Sequence, residues 1–165
     1  KDSYHRIPLM ITVRGSGGVE VAELDKIEKL VSAGMKHLIF FLHGDGSEAE
    51  CAKVVENLSL YLERLQDANL GANLFMAVFC TNFNFINNEE LMDFLCQRGT
   101  APDQIVVGCI VVSLLCDGVV DHKEAENYHD VISQFGKVKA AIRKRSEHVK
   151  IGLADVYHRK TLQHV

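Results

Sequence analysis

The sequence has no C-x-x-C pair, only two prolines and no apolar run long enough to cross a bilayer. The longest such run, Ile105 to Cys116, is interrupted by Gly108 and Ser113 and falls well short of the roughly 20 residues a membrane span requires, so a soluble protein is expected. The five cysteines, Cys51, Cys80, Cys96, Cys109 and Cys116, are odd in number and sit in apolar segments. They read as small buried hydrophobes in a reducing, cytoplasmic compartment rather than as disulfides or a thiolate metal site. No charged, apolar and small-residue leader opens the chain, which starts at Lys1 without Met, as expected if an upstream piece has been removed or left out. With 47% hydrophobic and 24% charged residues, the 165-residue chain has the profile of one globular domain, able to bury roughly 70% of its unfolded surface.

The net charge of −4 conceals an asymmetry: residues 137–165 carry eight Lys/Arg against two acids, a local +6, which leaves −10 for the rest. An acidic body thus bears a basic tail, with Arg143, Lys144 and Arg145 as its densest patch. Such a patch suits an acidic protein partner or another anionic surface. The plainer reading is a solvated amphipathic helix with Val138, Ala141, Ile142 and Val149 on its apolar side. No aromatic residue interleaves with the basic cluster, so the stacking platform of a single-strand binder is missing and nucleic acid is disfavoured.

Residues 1–18 contain a short extended candidate, Leu9 to Val13, and end in Arg14-Gly15-Ser16-Gly17-Gly18, which reads as an arm or linker. From Val21, the apolar positions Leu24, Ile27, Val31, Met35, Leu38 and Leu42 recur at helical spacing until His43-Gly44-Asp45-Gly46. Ser47 and Glu50 form an S-x-x-E capping box for a second helix with Cys51, Val54, Val55, Leu58, Tyr61, Leu62 and Leu65 on one face. Further helical candidates span about Leu70 to Cys80 and Asn88 to Gln97, separated by the polar break Thr81-Asn82-Phe83-Asn84. In the segment Ile105 to Val112, six of eight residues are β-branched, which favours a buried strand. If Leu9–Val13, Leu38–Leu42, Leu74–Phe79 and Ile105–Val112 were all strands, the chain would be an α/β sheet. The unbroken helical phase from Val21 to Leu42 instead favours a single all-α domain over 19–136, followed by a basic helical extension over 137–165.

The residues with the clearest chemistry are acidic. Asp117-Gly118-Val119-Val120-Asp121-His122-Lys123-Glu124 has the form of the second half of an EF-hand loop, although full register would place Ser113 and Leu115 at the first two ligand positions, and Leu115 has no side-chain oxygen. Asp121 and Glu124 also satisfy a capping box without any metal. The same grammar occurs in His37 to Glu50, an apolar segment running into Asp45-Gly46 with acids opening the next helix. Asp45 and Asp117 lie 72 residues apart, as in a degenerate tandem repeat.

On these two Asp-Gly turns, their spacing and the Thr81-Asn82-Phe83-Asn84-Phe85 break between them, residues 31–137 resemble the TerB-like (tellurite-resistance protein B) family of small helical domains. The resemblance implies an all-helical pseudo-twofold fold, with Asp45 and Glu50 in one turn and Asp117 and Glu124 in the other as carboxylates for a divalent cation, Ca²⁺ or Mg²⁺. The first turn lacks the apolar residue that the second has between its glycine and its acids.

Other constellations are slighter. Gly15-Ser16-Gly17-Gly18 after a strand resembles a phosphate-binding turn but lacks the third glycine of G-x-G-x-x-G. His122 and His129 are seven apart and share a helix face, yet two turns separate them by about 10 Å, too far for one metal. No nucleophile elbow is present. The expectation is a non-catalytic helical interaction module, cation-binding, in a stress-response or membrane-associated assembly. The alternatives are an α/β enzyme or nucleotide-binding domain, and a ligand-free helical scaffold subunit.

Overall fold

Gly34 stops the first helix. Its backbone adopts φ +115°, its amide donates to the Val31 carbonyl, and the Met35 amide reaches back to Leu30, the left-handed closure that ends many helices. Asn69, at φ 57°, closes the second helix the same way, with its amide on Gln66 and that of Leu70 on Leu65. The computed structural model describes residues 8–71, 74–80, 82–97, 107–113 and 124–154. In chain order these form β1 (Leu9–Arg14), α1 (Val21–Ser32), β2 (His37–His43), α2 (Glu48–Asp67), β3 (Phe75–Cys80), α3 (Phe83–Asn87), α4 (Glu89–Gln97), β4 (Val107–Ser113), α5 (Glu124–Arg145) and β5 (Lys150–Ala154).

The fold is therefore α/β, and the all-α expectation is overturned. The five strands form one all-parallel sheet in sequential order, β1-β2-β3-β4-β5. The helical phase that ran through Leu38 and Leu42 was an accident of spacing, since residues four apart share a face in a strand as well as in a helix. In β2 the fully buried residues are Leu38, Phe40 and Leu42, every second one, while Ile39 and Phe41 are only half-buried. Likewise Met76, Val78 and Cys80 are buried in β3, part of the segment expected to be helical. The first Asp-Gly turn joins a strand to a helix, since Asp45 follows β2 and precedes α2; Asp117 lies outside the described residues, in sequence between β4 and α5.

Sequential order with right-handed crossovers moves each strand the same way and sets all helices on one face. Under them lies the core: Ile11 and Val13, Leu38, Phe40 and Leu42, Met76, Val78 and Cys80, and Ile110 and Val112 from the sheet meet Ile27, Val31, Val54, Leu58, Tyr61, Leu62, Leu91, Leu95, Val138 and Ile142 from the helices. Tyr61 lies 5.6 Å from the Phe40 ring, edge-tilted. Arg64 of α2 binds Asp25 and Glu28, tying α1 to α2. A bulge at Gly108 shifts the β3–β4 register, and the Phe75 ring occupies the space a Cβ there would fill. Among the described residues no helix is long and apolar enough to cross a membrane.

Candidate functional site

In parallel α/β sheets the loops leaving the carboxyl ends of the strands carry ligands, because the scaffold fixes their roots and leaves their backbone groups unpaired. Here those ends present Arg14, His43 and the turn Gly44-Asp45-Gly46-Ser47. Gly44, at φ 141°, and Gly46, at φ 73°, let the turn double back. The turn is closed from α2: Glu50 Oε2 accepts the amides of Asp45 at 2.9 Å and Gly46 at 3.0 Å. Ser47 Oγ caps α2 by accepting the Glu50 amide at 3.3 Å, while the Ser47 amide donates to Asp45 Oδ1 at 2.9 Å. The expected capping box is thus only half formed, because the Glu50 carboxyl goes to the turn instead of returning to Ser47.

The turn is knit to its neighbours on both sides. On the β1 side, the Glu50 side chain packs so closely on Gly15 that a Cβ there would stand 1.7 Å from its Cγ, and one on Gly44 would stand 1.8 Å from its Oε1. On the β3 side, Asn84 Nδ2 donates to the Asp45 carbonyl at 2.9 Å, and Asn82 caps α3 through the Asn84 amide. Asn57 of α2 holds the loop after β1: its Nδ2 donates to the carbonyls of Arg14 at 2.9 Å and Gly17 at 3.3 Å. Asn57 is 3% exposed, and its Oδ1 has no hydrogen-bond partner among the described residues. The loop after β1 and the turn after β2 thus meet at Glu50, and α3 is tied to the same turn through the Asp45 carbonyl.

Asp45 and Glu50, two of the four expected cation ligands, do come together, and they bond to one another. The shared hydrogen bond holds Asp45 below the usual carboxylate range, aided by the Ser47 amide. The same bond, with partial burial and the adjacent Asp45 charge, pushes Glu50 up. Of the other two expected ligands, Asp117 lies outside the described residues, as does His122, and Glu124 opens α5 with a side chain that is likewise outside them, as is that of His129. Among the described residues no three His, Cys, Asp or Glu side chains converge as metal ligands, so the metal-binding expectation finds no ligand group there.

The basic patch is largely engaged within the fold. Arg143 donates to the carbonyls of Ser146 and Val149, shaping the turn into β5, and Arg145 pairs with Asp93 at 2.6 Å and with the Ala141 carbonyl. Lys144 is exposed. Burial pushes Cys51 up to about 11, with Glu50, Asp45 and Glu90 adding to the effect, and also raises Cys96 and Cys109. These thiols are held in the protonated form, which lowers their reactivity without abolishing it. Asn57, Asn84 and Gly15 carry no sequence signal of their own, since each acts on a loop dozens of residues away.

No family model, curated protein sequence or solved structure matches the chain.

Proposed function

We propose that the chain is an α/β ligand-binding domain whose site is the carboxyl edge of the parallel sheet, with the Asp45–Glu50 pair as its proton-exchanging group. The observation that supports this reading is that pair: two adjacent carboxyls, one held below and one above its ordinary range, in a turn tied to its neighbours on the edge where such sheets place their ligands. The favoured ligand is a small cation or hydrogen-bond donor such as an amine. Glu20, Asp45, Glu48 and Glu50 surround the edge, and Arg14 is the one strand-end cation among the described residues beside His43.

The nucleotide-binding alternative is less well supported, although Gly15-Ser16-Gly17-Gly18 does join β1 to α1 as a phosphate turn would. Two of its surroundings oppose an anion: Glu50 packs on Gly15, and α1 opens with Glu20 at its cap and Glu23 in its first turn. The helical interaction module loses its basis with the all-helical fold on which it rested.

Amide chemical-shift mapping tests the proposal with two probes, putrescine and AMP. Putrescine is expected to shift Gly44, Asp45 and Gly46, with affinity falling about tenfold in Asp45→Asn and Glu50→Gln, the value of one charge-assisted bond. Shifts at Gly15–Gly18 with AMP, and none with putrescine, would overturn it in favour of the nucleotide reading.

A further inference from the structure

The face of the sheet turned away from the helices is apolar. Strand register arranges it in two rows, Met10–Ile39–Ala77–Cys109–Lys150 and Thr12–Phe41–Phe79–Val111–Gly152, with Phe75 beside the first. The Phe41 and Phe79 rings stack at 5.1 Å. None of these residues belongs to the core cluster, Met10 is 60% exposed and Phe75 44%. All-parallel sheets are otherwise covered on both faces, because neither face alternates with polar residues as a solvated sheet does. An apolar face of this extent on a monomer marks an interaction surface.

We infer that this face is covered by a second copy of the chain, stacked sheet on sheet about a two-fold axis parallel to the strands. Area supports a self-contact: five strands about 4.8 Å apart and about six residues long present roughly 24 by 20 Å, so two copies bury about 1,000 Å² together, the lower bound for a specific interface. Shape selects the axis. Bulky apolar residues crowd β1–β3 (Met10, Ile39, Phe41, Phe75, Phe79), with the Phe75 ring lying over Gly108, whereas β4 and β5 present Cys109, Val111 and Gly152 beside the flexible Lys150. A two-fold along the strands sets β1 over the partner's β5 and β2 over its β4, bulky on small. A two-fold across the strands sets each strand on itself, large on large, and leaves the β4–β5 end, with Val111 and Gly152, unfilled. Both contacts are self-complementary and close at two copies. With the axis along the strands, Met10 and Lys150 share a row at opposite edges, so Met10 of one copy faces Lys150 of the other.

Sedimentation equilibrium of the whole chain from about 1 to about 100 µM, the range for a weak interface of this area, is the test. The expected result is a monomer–dimer equilibrium reaching twice the 18.4 kDa chain mass, with Cys109 alkylation by maleimide slowed at least fivefold at the top of the range. Because Met10 is exposed, its replacement leaves the fold intact. Met10→Lys, facing Lys150, is expected to weaken the dimer about tenfold, and Met10→Glu to preserve or tighten it. A monomer throughout, an open-ended polymer, or Cys109 reactivity independent of concentration would overturn the inference. Equal effects of the Lys and Glu variants would overturn the axis assigned to it.

Discussion

Truncating Phe40 to alanine should remove about 3–5 kcal/mol of stability, while truncating its neighbour Phe41 should remove less than half as much. Phe40 is fully buried at the centre of β2, in register with Ile11 and Val78, with its ring against Tyr61. Phe41 points to the opposite face and is only half-buried. The loss at Phe40 combines the transfer of a large apolar side chain with a cavity that a parallel sheet locked on both sides cannot collapse to fill. Urea unfolding with an unchanged m-value measures both variants. Similar losses would contradict the strand assignment, because only in a strand do adjacent residues face opposite ways.

Asn57 should be the most sensitive polar position. Asn57→Leu leaves the Arg14 and Gly17 carbonyls without their donor and is expected to cost about 2–3 kcal/mol. Asn57→Asp should cost more at neutral pH, about 3–5 kcal/mol, because a buried carboxylate would face two carbonyl oxygens. That carboxyl's pKa would be raised in the folded state, so its penalty is small below its unfolded pKa and grows as pH rises through the folded one. The gap between variant and wild type should therefore widen from pH 4 to pH 7. A pH-independent gap would mean the side chain had turned out to solvent and released the loop after β1.

The sequence held most of the strands and none of their arrangement. Leu9–Val13, Leu38–Leu42, Leu74–Phe79 and Ile105–Val112 correspond to β1 through β4, the last signalled by its β-branched run. What misled was the weight given to helical phase over Gly34, the one stop signal between α1 and β2; Leu38 and Leu42 fit either period, whereas a left-handed glycine fits only a terminus. β5 was hidden in the basic tail, where Ile151 and Leu153 are its only large apolar residues. At the site, Ser47 and Glu50 were legible as a cap and Asp45 as an acidic turn, because those relations are local. The Glu50 contact with Gly15 and the Asn84 bond to Asp45 depend on three strands lying side by side, which no spacing encodes. Arg143 and Arg145 show another relation that spacing does not carry: Arg143 bonds to the Val149 carbonyl and Arg145 to Asp93 of α4.

The opposite shifts of Asp45 and Glu50 give the pair a definite pH signature. Asp45, lowered, contributes stability above its ordinary range that is lost as pH falls through its folded pKa; Glu50, raised, contributes stability at low pH that is lost as pH rises through its own. The turn is therefore best held between the two. Side-chain ¹³C NMR titration of the two carboxyl carbons reads this directly. Asp45 should titrate below the ordinary carboxylate range and Glu50 above it, each curve carrying an inflection from the other, and Glu50→Gln should change the Asp45 curve. Two independent titrations in the ordinary range, with Asp45 indifferent to Glu50→Gln, would contradict a coupled carboxyl pair at the carboxyl edge of the sheet.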